Sequence, residues 1–176
     1  IWVSDAMRDI RGADIAICTK GHFRYQGMSR GDAVQPGQKL RFMELVNWLR
    51  PSEAVLATFT VSGADLLKII EMNILDKPAE ERFLVQVSGC RYTFDRRRPP
   101  GSRVVETDID PQRTYKIVCN SLDLTRTDRL HLGDYFGKLN HQTLEPTRLS
   151  TAWYYIHKNG GRVTARLEGS VVEVGK

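Results

Sequence analysis

Apolar residues recur along the chain with two periods, and these predict its helices and strands. Stripes of helical spacing lie in Phe42–Leu49, Leu66–Ile74 and Leu149–Ile156. Runs of β-branched and aromatic residues predict strands, and these runs are Asp14–Cys18, Ala54–Val61, Phe83–Val87, Arg91–Phe94, Arg103–Glu106, Tyr115–Cys119 and Val163–Val174. The third and fourth runs flank Ser88–Gly89 and are either two strands or one bulged strand. Because strands and helices do not alternate regularly, the order favours an α+β fold, a single domain over residues 1–176 with a mixed β-sheet packed by helices.

Local signals predict where individual helices begin and end. The first segment, through about Arg11, is predicted to be a short helix that Ser4 caps and Gly12 ends. Ser62 opens a Ser-x-x-Asp sequence, in which the side chain accepts a bond from an otherwise unpaired helix N–H. Asn159–Gly161 is expected to stop the final helix.

Composition limits the class of protein. With 41% hydrophobic and 27% charged residues over 176 positions, the chain is typical of globular domains and unlike disordered, collagen or coiled-coil sequences. Three scattered cysteines, Cys18, Cys90 and Cys119, lie in apolar stretches and are predicted to be buried thiols. No apolar run is long enough to span a bilayer. Since the sequence starts at Ile1 without a signal peptide, we interpret it as a piece of a longer protein.

Positive charge is concentrated in one predicted turn. Arg91–Arg103 holds five arginines and one aspartate, or +4 of the chain's formal net charge of +5, and Pro99–Pro100 predicts that the turn is exposed. A solvated turn, or a patch facing an acidic partner, is the favoured interpretation. The alternative is a phosphate or nucleic-acid binder acting through Arg96–Arg98, although no aromatic residue interrupts the arginines.

The usual catalytic motifs are missing. The sequence contains no GxSxG, no phosphate loop, no HExxH and no metal-binding histidine cluster. We therefore predict that this chain alone does not hydrolyse substrates, and we assign it no catalytic or metal-binding residue.

Two loops are candidate ligand sites instead. Gly21 and Arg24 follow a predicted buried strand, where a backbone can approach a ligand and a guanidinium suits phosphate or carboxylate. The alternative is that Arg24 pairs with a surface acid. His131–Phe136 combines glycine with Tyr135 and Phe136, a composition that suits stacking on a planar ring; alternatively, both rings fill the core.

The order of motifs resembles the 5'-nucleotidase C-terminal domain. The matching stretches, in chain order, are Ser4–Arg8, Gly12–Ala16, the loop ending in Arg24, Val61–Leu66, Gln86–Asp95, Pro100–Val104 and Tyr115–Val118. In that family, which includes nucleotidases, UDP-sugar hydrolases, cyclic phosphodiesterases and a thiosulfohydrolase branch, an N-terminal metallophosphoesterase domain holds two metal ions and cleaves the ester. The C-terminal domain binds the nucleoside or other leaving part.

The resemblance implies partners for this chain. We expect a phosphoesterase domain in the same chain to carry two divalent metal ions, with no cofactor in this domain. A nucleotide-like small molecule is the expected ligand, and nucleic acid is not an expected partner. Family members are often periplasmic or surface-attached, which implies a periplasmic or extracellular location.

Carried over residue by residue, the resemblance assigns five substrate-binding residues, namely Thr19, Gly21, Arg24, Asp134 and Phe136. Thr19 stands where the family has asparagine, Tyr135 replaces a glycine, and Ser52 replaces a second stacking aromatic residue. These departures leave open a divergent module that binds something other than a nucleotide, including a thiosulfohydrolase-like relative.

Overall fold

A computed structural model describes residues 2–19, 37–39, 41–49, 54–76, 84–121, 142–163 and 169–175. Its helices are α1 (Trp2–Arg11), α2 (Phe42–Trp48), α3 (Gly63–Met72) and α4 (Arg148–Lys158). Its strands are β1 (Ile15–Thr19), β2 (Val55–Ser62), β3 (Val85–Ser88), β4 (Tyr92–Phe94), β5 (Val104–Thr107), β6 (Thr114–Asn120), β7 (Gln142–Thr147) and β8 (Val171–Glu173).

The strands form two sheets. The larger has the order β3-β1-β6-β2-β7, and in it only β1 and β6 pair in parallel, with Ile15 opposite Ile117. The smaller has the order β5-β4-β8 and also combines one parallel with one antiparallel pair. The predicted α+β architecture with a mixed sheet packed by helices is therefore confirmed.

Both faces of the larger sheet are buried, because successive side chains of a strand point to opposite sides. On β1, Ile15 and Ile17 belong to the core shared with α3 and the smaller sheet. Ala16, between them, belongs to the core shared with α1, α2 and α4. The described residues thus build three layers, with the larger sheet in the middle.

Of the predicted helix ends at Ser4, Gly12 and Ser62, the structure confirms two and contradicts one. Ser62 caps α3 as predicted, since its Oγ accepts a bond from the backbone N–H of Asp65 at 3.1 Å. Gly12 follows the last residue of α1 with φ of 52°, a left-handed geometry that suits glycine. The predicted cap at Ser4 is wrong, because α1 already begins at Trp2 and Ser4 is a buried residue within it.

Two strand assignments also differ from the prediction. Strand β7 was not predicted, because its sequence is polar and contains Pro146. It is an edge strand whose register shifts opposite Val55 and Leu56, and edges and bulges are where a strand tolerates proline. The predicted last strand, Val163–Val174, is represented in the described residues by β8 alone, and Val163 lies outside it.

Two residues of the predicted apolar stripes face solvent. Phe42 is 45% exposed and Trp153 is 40% exposed. Their rings meet edge to face, with centroids 5.1 Å apart, where α2 lies beside α4. Each apolar stripe therefore includes residues that do not contact the core.

Among the described residues, no helix combines the length and apolar character that crossing a membrane requires.

The cysteines are free thiols, Cys18 and Cys119 fully buried and Cys90 partly so. Burial, together with the nearby carboxylate of Asp108, raises the pKa of the Cys90 thiol to about 12.

Thiolate is the reactive form, so Cys90 in the native protein is expected to react with iodoacetamide at pH 8 about 1,000-fold more slowly than an unstructured cysteine. Mass spectrometry of digested peptides measures each site, and the urea-unfolded protein is the control. Rapid native labelling of Cys90 would contradict this.

Candidate functional site

The carboxyl ends of β1 and β6 meet at one edge of the larger sheet, because the two strands are parallel neighbours. Thr19 ends β1 and Asn120 ends β6. The antiparallel neighbours begin at the same edge, since Leu56 of β2 lies opposite Asn120 and Val85 of β3 lies opposite Thr19. We call this the loop edge. It is the kind of edge at which sheets with parallel strands place ligand-binding groups.

The structure brings the end of β1, which precedes the first predicted binding loop, beside the end of β6. The loop with Gly21 and Arg24 leaves β1 after Thr19, and the loop with Asp134 and Phe136 lies between β6 and β7. Neighbouring strands are about 4.8 Å apart, so the ends of β1 and β6 lie side by side.

Of the five predicted substrate-binding residues, Thr19 is described. Its side chain is buried, with 2% of the residue exposed, and its carbonyl oxygen accepts a bond from the Sγ of Cys18 at 3.7 Å. The other four, Gly21, Arg24, Asp134 and Phe136, lie outside the described residues, as do the substituted positions Ser52 and Tyr135.

The loop edge also contains a buried charge that sequence reasoning missed. Arg148, the first residue of α4, is completely buried, and its backbone N–H donates to the carbonyl oxygen of Ala54 at 2.8 Å. A signal for this burial exists in the sequence, since Arg148 precedes the buried Ala152 and Ile156 by four and eight residues. That spacing places all three on one helix face.

Helix α1 begins near the loop edge. A tight turn at Gly12–Asp14 reverses the chain between α1 and β1, which pack against each other. Ten helical residues at about 1.5 Å each and five strand residues at about 3.3 Å each cover nearly the same length. Trp2 therefore lies toward the same end of the domain as Thr19, and a segment preceding Trp2 would join the domain there.

The predicted basic turn is largely neutralised within the domain. The guanidinium of Arg96 pairs with Glu173 at 2.9 Å, and its side chain is only 9% exposed. Arg103 pairs with Asp76 and is buried, while Arg91 pairs with Asp108 at 3.3 Å. The exposed turn of the prediction is therefore built partly on buried ion pairs, which join strands to distant segments of the chain.

The tip of the turn is the exposed part. Arg97 pairs with Asp95 at 2.8 Å, and its hydrogen bonds to Asp95 lower the pKa of that carboxyl to about 2. Arg98 donates to the carbonyl oxygen of Ser102 at 3.2 Å, and within the described residues it has no carboxylate partner. One uncompensated arginine is a weak phosphate-binding surface, so the described contacts give little support to the nucleic-acid alternative.

The described residues offer two further concave surfaces. A groove of about 780 Å³ between α3 and β5 is lined mostly by apolar side chains. A polar cleft of about 500 Å³ separates α1 from Tyr155 of α4. Within the described ranges, no group of histidine, cysteine, aspartate or glutamate residues is arranged to hold a metal ion.

Comparison with known families identifies the domain. Residues 1–131 match the family described as 5'-nucleotidase, C-terminal domain. The chain belongs to this family. The matched region includes α1 through β6, and therefore the strands that build the loop edge. The resemblance carried by the motif order is confirmed.

Similar proteins agree with this assignment. The chain is 25% identical over 185 residues to the trifunctional nucleotide phosphoesterase protein YfkN of Bacillus subtilis. Its fold is similar to the 5'-nucleotidase precursor of Thermus thermophilus, with a TM-score of 0.80 and 23% identity over 99% of the chain. The sulfate thiohydrolase SoxB, also from Thermus thermophilus, gives a TM-score of 0.69 at 19% identity over 99% of the chain.

These relatives are much longer than the chain. It spans 12% of YfkN, 35% of the Thermus 5'-nucleotidase and 31% of SoxB. The region similar to this chain is therefore a minor part of each of these proteins.

Proposed function

We propose that residues 1–176 form the substrate-recognition domain of a metal-dependent phosphoester hydrolase that acts on nucleotides or related phosphorylated compounds. The proposed pocket lies at the loop edge and uses Thr19, Gly21, Arg24, Asp134 and Phe136. Arg24 would bind an anionic group with its planar fork of donors, and Phe136 would stack on the base. The observation that supports the proposal is the parallel pairing of β1 with β6, which puts the end of β1, just before the loop with Gly21 and Arg24, beside the end of β6, which precedes the segment that contains Asp134 and Phe136.

Cleavage is assigned to another part of the same protein. We propose that an N-terminal phosphoesterase domain holds two divalent metal ions, which would supply an activated water and stabilise charge on the phosphoryl group. Such a domain would join at Trp2, toward the loop edge, so the bound leaving part would face it. Like many members of this family, the whole protein is proposed to be periplasmic or extracellular.

Binding measurements test the pocket. In the whole protein, Phe136→Ala is expected to weaken binding of AMP and of adenosine about 5- to 150-fold, because loss of one base-stacking ring costs about 1–3 kcal/mol. Binding of ribose 5-phosphate, which has no base, is expected to be unchanged. Arg24→Gln is expected to weaken AMP and ribose 5-phosphate more than adenosine. Isothermal titration calorimetry gives all three affinities.

A matched control is available in the described part of the chain. Phe42 is an exposed ring on α2, and Phe42→Ala is expected to leave the three affinities unchanged. If Phe136→Ala behaves like Phe42→Ala, Phe136 is not a stacking residue.

The second candidate is a module that binds a non-nucleotide substrate. It is favoured by the burial of Thr19, which leaves its short side chain little surface for a ligand, and by the lack of an aromatic residue at Ser52. Thiosulfate in the same titrations separates the candidates. Binding of thiosulfate by a protein that does not bind AMP or adenosine would replace the nucleotide proposal with this one.

A further inference from the structure

The groove between α3 and β5 has the size and lining of a small-molecule site. It encloses about 780 Å³, and its lining includes the apolar residues Leu67, Met72, Leu75, Val104 and Val105. Val105 is 41% exposed, so this part of the lining faces solvent. Ligand sites of this volume combine apolar walls with a few polar groups that orient the ligand. The polar groups of the groove therefore indicate what it binds.

Glu71 of α3 is an incompletely bonded carboxylate in the wall of the groove. Its Oε1 atom accepts a hydrogen bond from the backbone N–H of Val104 at 2.6 Å, which ties α3 to β5 and holds the carboxylate in place. Its Oε2 atom is shielded from solvent and has no hydrogen-bond partner among the described residues. A carboxylate oxygen that has lost water without gaining a donor is costly to stability, and a donor from a ligand would remove that cost.

The charges that line the groove favour a cationic ligand. Its basic residues, Lys68 and Arg103, are each paired with an aspartate. Glu71 and Glu106 also line the groove, and neither has a basic partner among the described residues. The uncompensated charge of the groove is therefore negative. A protonated amine complements this charge and supplies the donor that Oε2 of Glu71 lacks.

We propose that the groove binds a primary ammonium ion that carries an apolar chain or ring. The ammonium group donates to Oε2 of Glu71, and the apolar part lies along Leu67, Met72 and Val105. Leu67 and Met72 are only partly buried, and methionine is unbranched and adaptable, so these side chains move aside to admit the ligand to Oε2. The site uses none of the five residues predicted for substrate binding, and the proposal does not rest on the nucleotide pocket.

Isothermal titration calorimetry of the whole protein tests the proposal with hexylammonium, hexanol and hexanoate, which share one apolar chain and differ in charge. Hexylammonium is expected to bind about 10- to 100-fold more tightly than hexanol, the scale by which a charged partner strengthens a hydrogen bond. Hexanoate is expected not to bind. Glu71→Gln keeps an acceptor for the N–H of Val104 but loses the charge. It is expected to reduce the preference for hexylammonium over hexanol to less than about 3-fold.

Two exposed valines provide a matched pair that does not depend on the folding of Glu71→Gln. Val105→Lys brings a positive charge to the groove and is expected to weaken hexylammonium binding about 10-fold by repulsion. Val172, which is 43% exposed, lies on β8 at the opposite edge of the smaller sheet. Val172→Lys is expected to leave the affinity unchanged. Circular dichroism monitors the folding of each variant, and if Glu71→Gln does not fold, this pair decides.

Three results would overturn the proposal. The first is hexylammonium binding no more tightly than hexanol, which would mark the groove as a purely apolar surface. The second is an unchanged preference for hexylammonium in folded Glu71→Gln, which would place the amine elsewhere in the protein. The third is an equal effect of Val105→Lys and Val172→Lys on hexylammonium affinity, which would show a general response to added charge.

Discussion

Replacing Gly63 by alanine is expected to lower the free energy of unfolding by at least about 3 kcal/mol, at the upper end of the range for overpacking a buried site. A Cβ atom at Gly63 would clash with the carbonyl oxygen of Asp110 and lie 2.8 Å from its carbonyl carbon. Both obstacles are backbone atoms, so no side chain can rotate away. Urea unfolding followed by circular dichroism measures the change.

The site cannot relax easily, because the helix start is bonded to the turn that it touches. The N–H of Gly63 donates to the carbonyl oxygen of Arg113 at 2.8 Å, and that of Ala64 donates to Pro111 at 3.1 Å. Moving the turn to admit a methyl group would stretch both bonds.

Gly101 is the matched control for Gly63. A Cβ atom there meets no described atom within 4 Å, but the residue has φ of 85°. Gly101→Ala is therefore expected to cost only about 1 kcal/mol, the penalty of a left-handed backbone for a residue with a side chain. Equal losses at the two positions would show that steric contact with Asp110 is not what requires glycine at Gly63.

Arg103→Met is expected to cost about 3 kcal/mol, because it removes several charge-assisted bonds from a buried position. The guanidinium of Arg103 donates to the carbonyl oxygen of Ile74, to the carboxylate of Asp76 and, at 3.1 Å, to the carbonyl oxygen of Arg98. Its side chain is 5% exposed. Without it, the carbonyl oxygen of Ile74, just beyond α3, loses this donor. The midpoint of urea unfolding reports the loss.

Arg98 lies in the same turn and serves as the comparison. It is exposed and makes one described side-chain bond, so Arg98→Met is expected to change stability by less than about 0.5 kcal/mol. A comparable loss of stability from both substitutions would contradict the view that Arg103 stabilises the segment after α3 while Arg98 is solvated.

The local part of the fold was predictable because its signals are local. The cap of α3 depends on Ser62 and Asp65, three residues apart, and the alternation in β1 depends on consecutive residues. Ser4 misled the prediction because a serine near a helix start suits a cap, while the tertiary structure begins the helix earlier and buries that serine. Strand β7 could not be read from its own residues, because pairing with β2 is what makes it a strand.

The ion-pair partners of the arginines in Arg91–Arg103 could not be predicted from the sequence. Counting charges locates +4 in Arg91–Arg103, but the compensating acids lie elsewhere along the chain. Arg96 reaches Glu173 across 77 residues, and Arg103 reaches Asp76 across 27. Net charge of a segment therefore overstates the positive charge that the folded domain presents to a partner.

The candidate site was predictable in part. Motif order identified the family and suggested the two loops, whereas the neighbouring ends of β1 and β6 depend on pairing between Ile15 and Ile117. Arg148 was missed because its burial follows from that same assembly of β2, β7 and α4 around the loop edge. Binding by Gly21, Arg24, Asp134 and Phe136 stays a prediction.

The position of β1 inside the sheet has a consequence for how the chain folds during synthesis. Strand β1 pairs with β3 about 70 residues later and with β6 about 100 residues later. Such distant partners make closure slow, because chain entropy is lost before the contacts that compensate for it form. While β6 of a nascent chain has not yet emerged from the ribosome, the larger sheet is incomplete. The apolar faces of α1 and β1 then remain exposed to solvent. Truncations ending before Asn120 are expected to be substrates for chaperones and proteases rather than smaller stable domains.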